Sequence, residues 1–522
     1  MKKYILSLVV ILITGFMFTS CENELNIPKL GNLGAEEEFY KTDEDAEAAI
    51  TTCYKDLGGM GGLFEFLMIP DNLLSGDIWC GGGQKNDDAA REDVGAYTFS
   101  STNKLVQDLY EGLYKLIYHS NLMIEKFDAY DTDIKKRNQA EAYFFRGMAH
   151  FYLGAYFGTT PIVDHLLGND EYNQPNSTKA ALFEQAASDL KKAVDSGCLT
   201  TKTNLTDPTV RVTKEAAQAY LGKTYVFLEN WSEAAQVLNS VIASKKYELY
   251  SDLNKLFHTA TDYCPEYILE WNAVADYNDA FAQLWHLYFM YHGFRGEFFN
   301  WTPTGEAADL SNSGYGFFNP TKGLYDAYVA EEGVDGYRLN HSVKTYEQIK
   351  AMGISLLDGK VLHGHEGYWD WKHRFLNSDY IIFGGMAVVN YCFMRYSEVL
   401  LLAAEANLKD GNDTQALKCL NEVRERAQLP AKSSISMDII KIEKRLELFG
   451  DGCRWMDLVR WGDAAAELKN QGKVIMGFNG TAAIEEYKNS GSSGFVAGKH
   501  EVLPIPATQI TLNDNMKQNP GW

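Results

Sequence analysis

The stretch AYLGKTYVFLENWSEAAQVLNSVI, residues 219–242, constrains the fold more than any other part of the chain. Leu221, Gly222 and Tyr225 precede a short polar break, and Trp231, Ala234 and Leu238 follow it at helical spacing. Two amphipathic helices joined by a turn satisfy this pattern, with small Gly222 and Ala234 where the helices come close. A second unit, residues 400–430, places Ala404, Gly411, Ala416, Leu420 and Val423 at the same relative offsets. A third is split: residues 140–158 supply its first helix, and Ala186, Leu190 and Ala193 mark its second after a loop. These are the offsets of tetratricopeptide repeats, whose helix pairs bury their apolar faces by stacking on one another. The expected fold is all-α, a tetratricopeptide-repeat helical scaffold with repeat-like pairs at about 140–195, 213–244 and 390–430.

Further helices are expected over residues 43–57, behind an acidic first turn, and 104–127, where Leu105, Leu109, Leu113, Leu116 and Ile117 recur three or four apart. Two stretches break the helical pattern. Residues 58–103 and 272–376 mix glycine, aromatic and polar residues, and are expected to be loop-rich insertions that build a ligand surface. Pro504, Pro506 and Pro520 suit an irregular C-terminal strap.

The N-terminus carries a targeting segment. Lys2 and Lys3 precede an apolar run over residues 4–18, too short for a comfortable membrane span but right for a signal-peptide core. Thr19 and Ser20 then lead into Cys21, an arrangement that resembles a bacterial lipobox. The expected organisation is a signal over residues 1–20, a tether over 21–39 lipidated at Cys21, and one body over 40–522.

Without residues 1–20 the chain holds 46 basic and 70 acidic side chains, a formal charge of −24. That sign repels phosphate backbones, so no nucleic-acid partner is expected. Seven cysteines follow Cys21 with no C-x-x-C pair, which favours neither a disulfide framework nor a zinc site. Nucleophile-elbow, phosphate-loop, H-E-x-x-H and dinucleotide signatures are absent from the sequence, and no cofactor is expected. His363, His365, Glu366 and His373 could converge on a metal, but their Gly-containing setting reads better as a hydrogen-bonded loop, so the expected metal set is none. Arg395, Glu398 and Glu405, and likewise Arg454, Asp457 and Arg460, read as buried ion pairs.

Binding is better supported than catalysis. Sugars present flat C–H faces edged by hydroxyls, which aromatic rings and Asp, Asn or Arg side chains match. The insertions supply Asp71, Asn72, Asp77 and Trp79, then Arg295, Trp301 and Tyr315, as candidate ligand-binding residues. Phe317 and Phe318 belong to the same second stretch, and Trp369 and Trp371 are weaker candidates.

Several stretches together resemble one family, the SusD-like (RagB/SusD) outer-membrane lipoproteins of Bacteroidetes. They are AEAYFFRGMAHFYLGAYFGTTPIV (140–163), MRYSEVLLLAAEA (394–406), IEKRLELFGDGCRWMDLVRWG (442–462) and LPIPATQITLNDNMKQNPGW (503–522). The resemblance implies a non-enzymatic protein at the outer membrane, lipid-anchored and facing the exterior. It also implies capture of a glycan and its delivery to a SusC-type TonB-dependent transporter, the alternatives being capture of peptides or a surface glycosidase. Glu22, Asn23 and Glu24 resemble the acidic surface-export signal of that group.

Overall fold

The computed structural model describes residues 39–58, 62–208, 210–273, 287–382 and 386–522. The leader, Cys21 and nearly all of the 21–39 tether lie outside the described residues, as do three residues of the first insertion and thirteen of the second.

Helix formation follows local chemistry. Helices α1 (Asp43–Leu57), α2 (Leu63–Leu74), α3 (Lys104–Glu125), α4 (Asp133–Phe157), α5 (Lys179–Asp195) and α6 (Lys214–Phe227) come first in the chain. All of these except α2 open on a Thr or Asn whose side chain accepts a first-turn N–H, satisfying donors that the helix leaves unpaired. Helix α7 (Trp231–Ala243) follows, then α8 (Tyr396–Lys409), α9 (Asp413–Arg426), α10 (Met437–Glu447) and α11 (Arg454–Trp461).

Helices α4 and α5, α6 and α7, and α8 and α9 pack as consecutive pairs, and α5 against α6 and α7 against α8 join the pairs into a stack. Close approach depends on small residues. A Cβ on Gly222 would lie 2.5 Å from Cγ of Leu238, and one on Gly147 would lie 2.8 Å from Cγ of Leu190. Ala234, Ala404 and Ala416 are fully buried at equivalent contacts. A fourth pairing was not read from the sequence: α1 and α3 pack together and both contact α4, although 46 residues separate them in the chain.

The expectation of an all-α chain needs correction, because the fold is mostly helical with small antiparallel sheets. Most lie in the second insertion and its flanks, as short pairings of two or three strands. Tyr267–Trp271 pairs with Tyr391–Arg395, Phe299–Trp301 with Ile354–Leu356, and Val343–Thr345 with Tyr368–Asp370. The largest has three strands, Ala483–Lys488, Val474–Phe478 and Leu362–His363.

A buried ionic cluster joins this insertion to the helical stack. Glu447, at the end of α10, meets Arg338 at 3.2 Å, Arg395 at 3.0 Å, and Arg426 of α9. Arg395 also reaches Glu266 and Asp451, and Arg338 binds Glu332 and Glu443, each at 2.7 Å. Burial alone would raise the Glu447 carboxyl, but the three guanidinium groups hold it well below the usual carboxylate range. On α8, Glu398 pairs with Lys223 at 2.9 Å, and Glu405 accepts from both Arg460 and Trp461. Asp457 pairs with Lys444 and Arg460. The C-terminal segment lies across the end of α4, with Leu503 N–H donating to Tyr156 O at 2.7 Å and Asn519 Nδ2 to Phe157 O.

Gly222→Leu is expected to destabilise the protein by about 1–3 kcal/mol through overpacking against Leu238, read as a lower urea midpoint. Glu447→Leu leaves three buried arginines short of a partner and is expected to cost about 3–5 kcal/mol. An unchanged midpoint would show that the cluster does not carry the junction.

Candidate ligand-binding surface

The two insertions meet at one strand pair. Strand β1 (Ile78–Gly81) lies antiparallel to β2 (Phe317–Pro320), with Trp79 opposite Asn319 and Gly81 opposite Phe317. Gly81 has φ of +75°, and a Cβ there would meet Asn319 Nδ2 at 2.3 Å and Gly316 O at 2.6 Å, so the chain passes only as glycine. The loop that follows is tied to the second insertion by charge. Asp87 accepts from Gly83 N–H at 2.8 Å and from Arg295 Nη1 at 2.5 Å. Burial works against its ionised form, but the Gly83 amide and Arg295 hold its carboxyl below the ordinary value.

Partly exposed rings spread outward from this ion pair. The Arg91 guanidinium stacks 4.5 Å from the Tyr291 ring centre and donates to its hydroxyl at 3.1 Å. Tyr315 lies 5.8 Å from Tyr291, and Trp301 packs edge-on against Phe294 at 5.4 Å. Phe298 sits between the Arg295 and Lys360 cations. Exposed Gln84, Lys85, Asn300 and Asn312 border the rings. A hairpin, β3 (Val474–Phe478) and β4 (Ala483–Lys488), closes one side. Lys85 lies 4.2 Å from the Tyr487 ring centre, and Tyr487 donates to Glu92 at 2.6 Å. His363 stacks parallel to Tyr487, 2.8 Å from Glu486 and 3.7 Å from Glu92.

Of the residues proposed from sequence, Arg295, Tyr315 and Trp301 stand on this surface. Trp79 is also partly exposed, but its indole N–H is committed to Glu366 at 2.9 Å. Asp71, Asn72 and Asp77 are corrections. Asp71 and Asn72 lie in α2, whose nearly continuous apolar sequence buries it on all sides. Asp71 caps α11 by accepting from the N–H groups of Trp455 and Met456, and burial pushes its carboxyl up to about 7. Asn72 bridges Gly450 and Gly452. Asp77 is held by Arg445 and Arg454. Phe317, Phe318, Trp369 and Trp371 are core residues as well. Sequence reasoning missed Asp87, Arg91 and Tyr291. The charged run QKNDDAARED was the available signal, but nothing in it pointed to a partner 208 residues away.

The histidine-rich loop does not converge. His363 faces Glu486, His365 Nδ1 accepts from Gly367 N–H, Glu366 accepts from Trp79, and His373 turns inward to Asp370. His292, Asp370 and His373 do form a buried group with the spacing of metal ligands. In it Asp370 Oδ2 lies 2.8 and 2.9 Å from the two Nδ1 atoms, which suits imidazole N–H donation to one carboxylate.

Comparison with known proteins follows the same outline. Residues 367–522 match the SusD family, and residues 84–226 match a family described as starch-binding and associating with the outer membrane. A SusD-like protein, P2, of Formosa agariphila is 26% identical over the full length of both chains. The chain belongs to the SusD/RagB family. Proteins of this family bind carbohydrate at the outer membrane and are not enzymes. A solved laminarin-binding SusD-like protein superimposes with a TM-score of 0.76 at 25% identity, over 92% of this chain and all of the other. Surface glycan-binding protein A of Bacteroides thetaiotaomicron, solved with laminarihexaose, shares the fold with a TM-score of 0.73 at 21% identity, over 91% of this chain and 99% of the other.

In this SusD-like protein His363 makes the hairpin contact pH-dependent. Burial opposes its cation, but Glu92 and Glu486 outweigh burial and hold the imidazole above its ordinary 6.5. A raised folded-state value means that the contribution is complete below 6.5 and is lost as pH rises through the raised value. The protection of amides in β3 and β4, taken relative to their intrinsic exchange rate at each pH, is therefore expected to fall across that window in the native protein, and His363→Gln is expected to abolish the step.

Proposed function

We propose that this SusD-like protein captures a glycan on the surface that carries Tyr291, Arg295, Phe298, Trp301 and Tyr315, and hands it to a SusC-type TonB-dependent transporter. The observation that carries the reading is the Asp87–Arg295 pair, which brings both insertions together under a set of partly exposed rings. Rings held in place by packing can stack on sugar faces with little ordering cost, and the bordering amides and cations suit hydroxyl groups. The laminarin-binding relative is consistent with an oligosaccharide ligand.

The stacked helix pairs serve as a tetratricopeptide-type scaffold that offers a rigid flank for docking. Signal cleavage before Cys21 and lipidation of its thiol would hold the body, residues 40–522, at the exterior face of the outer membrane. No helix among the described residues is long and apolar enough to cross a membrane, so a polar glycan needs a pore lined by another protein.

Trp301→Ala and Tyr315→Ala are each expected to weaken oligosaccharide binding by about 1–3 kcal/mol, measured by calorimetry, with helicity unchanged. Asp71→Asn, which alters a buried cap, is expected to lower stability and leave affinity for the glycan unchanged. Full affinity in both aromatic variants would overturn the placement of the site.

A further inference from the structure

A second concave site shares no residue with the ring-bearing surface. It runs along α3 between the 161–174 loop and the C-terminal segment, as two cavities of about 380 and 350 Å³ with Tyr114, Val163, Leu167 and Tyr172 as a common wall. Small-molecule sites occupy roughly 300–1,000 Å³, and each cavity falls in that range. Along α3 the lining runs from Glu111 to Leu122, about 16 Å at roughly 1.5 Å per residue. That length suits a short chain of linked rings better than a single one. The lining is mixed. Tyr114, Tyr118 and Tyr172 supply aromatic rings, of which Tyr118 is 55% and Tyr172 63% exposed. Glu111, Asn173, Gln174, Gln509 and Asn513 add a carboxylate and four amides.

We propose that this groove is a second binding site, for a neutral oligosaccharide. Its walls are fixed before any ligand arrives. Tyr114 donates to Pro161 O at 2.7 Å, and its ring lies 4.8 Å from that of Tyr110. The loop is braced from both sides: Asn513 Nδ2 donates to Gln174 O at 2.8 Å, Asn515 Nδ2 to Asn173 O at 2.7 Å, and Asn121 Nδ2 to His165 O at 2.8 Å. Groups held in this way lose little freedom when they bind. The bond from Asn515 uses the backbone of Asn173, and among the described residues the side-chain amides of Asn173 and Gln509 take no partner. An amide both donates and accepts, as sugar hydroxyls do, and tyrosine faces match the C–H faces of the sugar ring. Other occupants fit less well. A fatty chain would bury the amides without partners. A phosphate or carboxylate ligand calls for a guanidinium fork, and no arginine lines either cavity among the described residues; of the cations present, His165 is already held by Asp164 and Glu171. Binding here needs nothing from Arg295, Trp301 or Tyr315, so the two sites stand or fall separately.

Calorimetry of the full-length mature protein tests this, with laminarihexaose and maltohexaose as probes and Trp301→Ala/Tyr315→Ala as a background that silences the ring-bearing surface. At least one probe is expected to bind the background protein. Adding Tyr172→Ala is expected to weaken that binding about tenfold, the effect of losing one aromatic hot spot. Asn173→Ala/Gln509→Ala is expected to weaken it severalfold, and Tyr172→Phe, which keeps the ring, to leave it near the background value. All of these positions are at least partly exposed, so helicity and the urea midpoint are expected to stay unchanged. Failure of both probes to bind the background protein overturns the proposal, as does binding that survives Tyr172→Ala combined with Asn173→Ala/Gln509→Ala. Self-association that Tyr172→Ala abolishes, with no sugar held in the groove, assigns the groove to a second copy and also overturns it. In the otherwise native chain, affinity that falls only with Trp301→Ala and Tyr315→Ala removes the second site and keeps the first; affinity that falls only with Tyr172→Ala does the reverse.

Discussion

The Glu447 carboxylate, almost completely buried among Arg338, Arg395 and Arg426, is the contact on which the rest of the molecule depends. One side chain of α10 thereby links the strand that leads into α8, the last helix of the stack, and a helix of the second insertion. Removing charges from water is expensive, and such a cluster persists only when each carboxylate has several donors. Glu266, Glu443 and Asp451 complete the pairing. The cluster specifies position more than it adds stability, because a slipped register would leave a charge without a partner.

That specificity matters for the ligand surface. The second insertion contains only short strands and brief helices, too small to fold stably alone. It is held at one end by the arginine cluster and at the other by β1 and β2, and the Asp87–Arg295 pair follows from this placement. The rings are therefore positioned by a frame that is largely remote from them. The glycines at 81 and 82, both at positive φ, let the first insertion approach closely enough for the pairing.

The helical stack plays a different role. Its pairs depend on small residues at crossing points, with Gly147 and Gly222 each placed where a larger side chain would collide with a leucine.

Periodicity determined the helical part of this protein by sequence alone, because small residues at fixed offsets permit few packings other than stacked pairs. The excess of acid and the buried role of Arg395, Glu398 and Glu405 were also legible there, since charges inside apolar helices must pair. The resemblance to the SusD-like family lay in the same helices and in the terminal strap. The candidate ring-bearing surface was only partly legible. Asp71, Asn72 and Asp77 have the residue types of a sugar site, yet helix and core formation consumed them, because an apolar run such as LFEFLMIPDNLL buries whatever polar groups it contains. Asp87, Arg91 and Tyr291 became partners only when the two insertions were brought together across more than two hundred residues. Which rings face solvent was decided by tertiary packing, since composition makes an aromatic residue equally fit for a core and for a sugar.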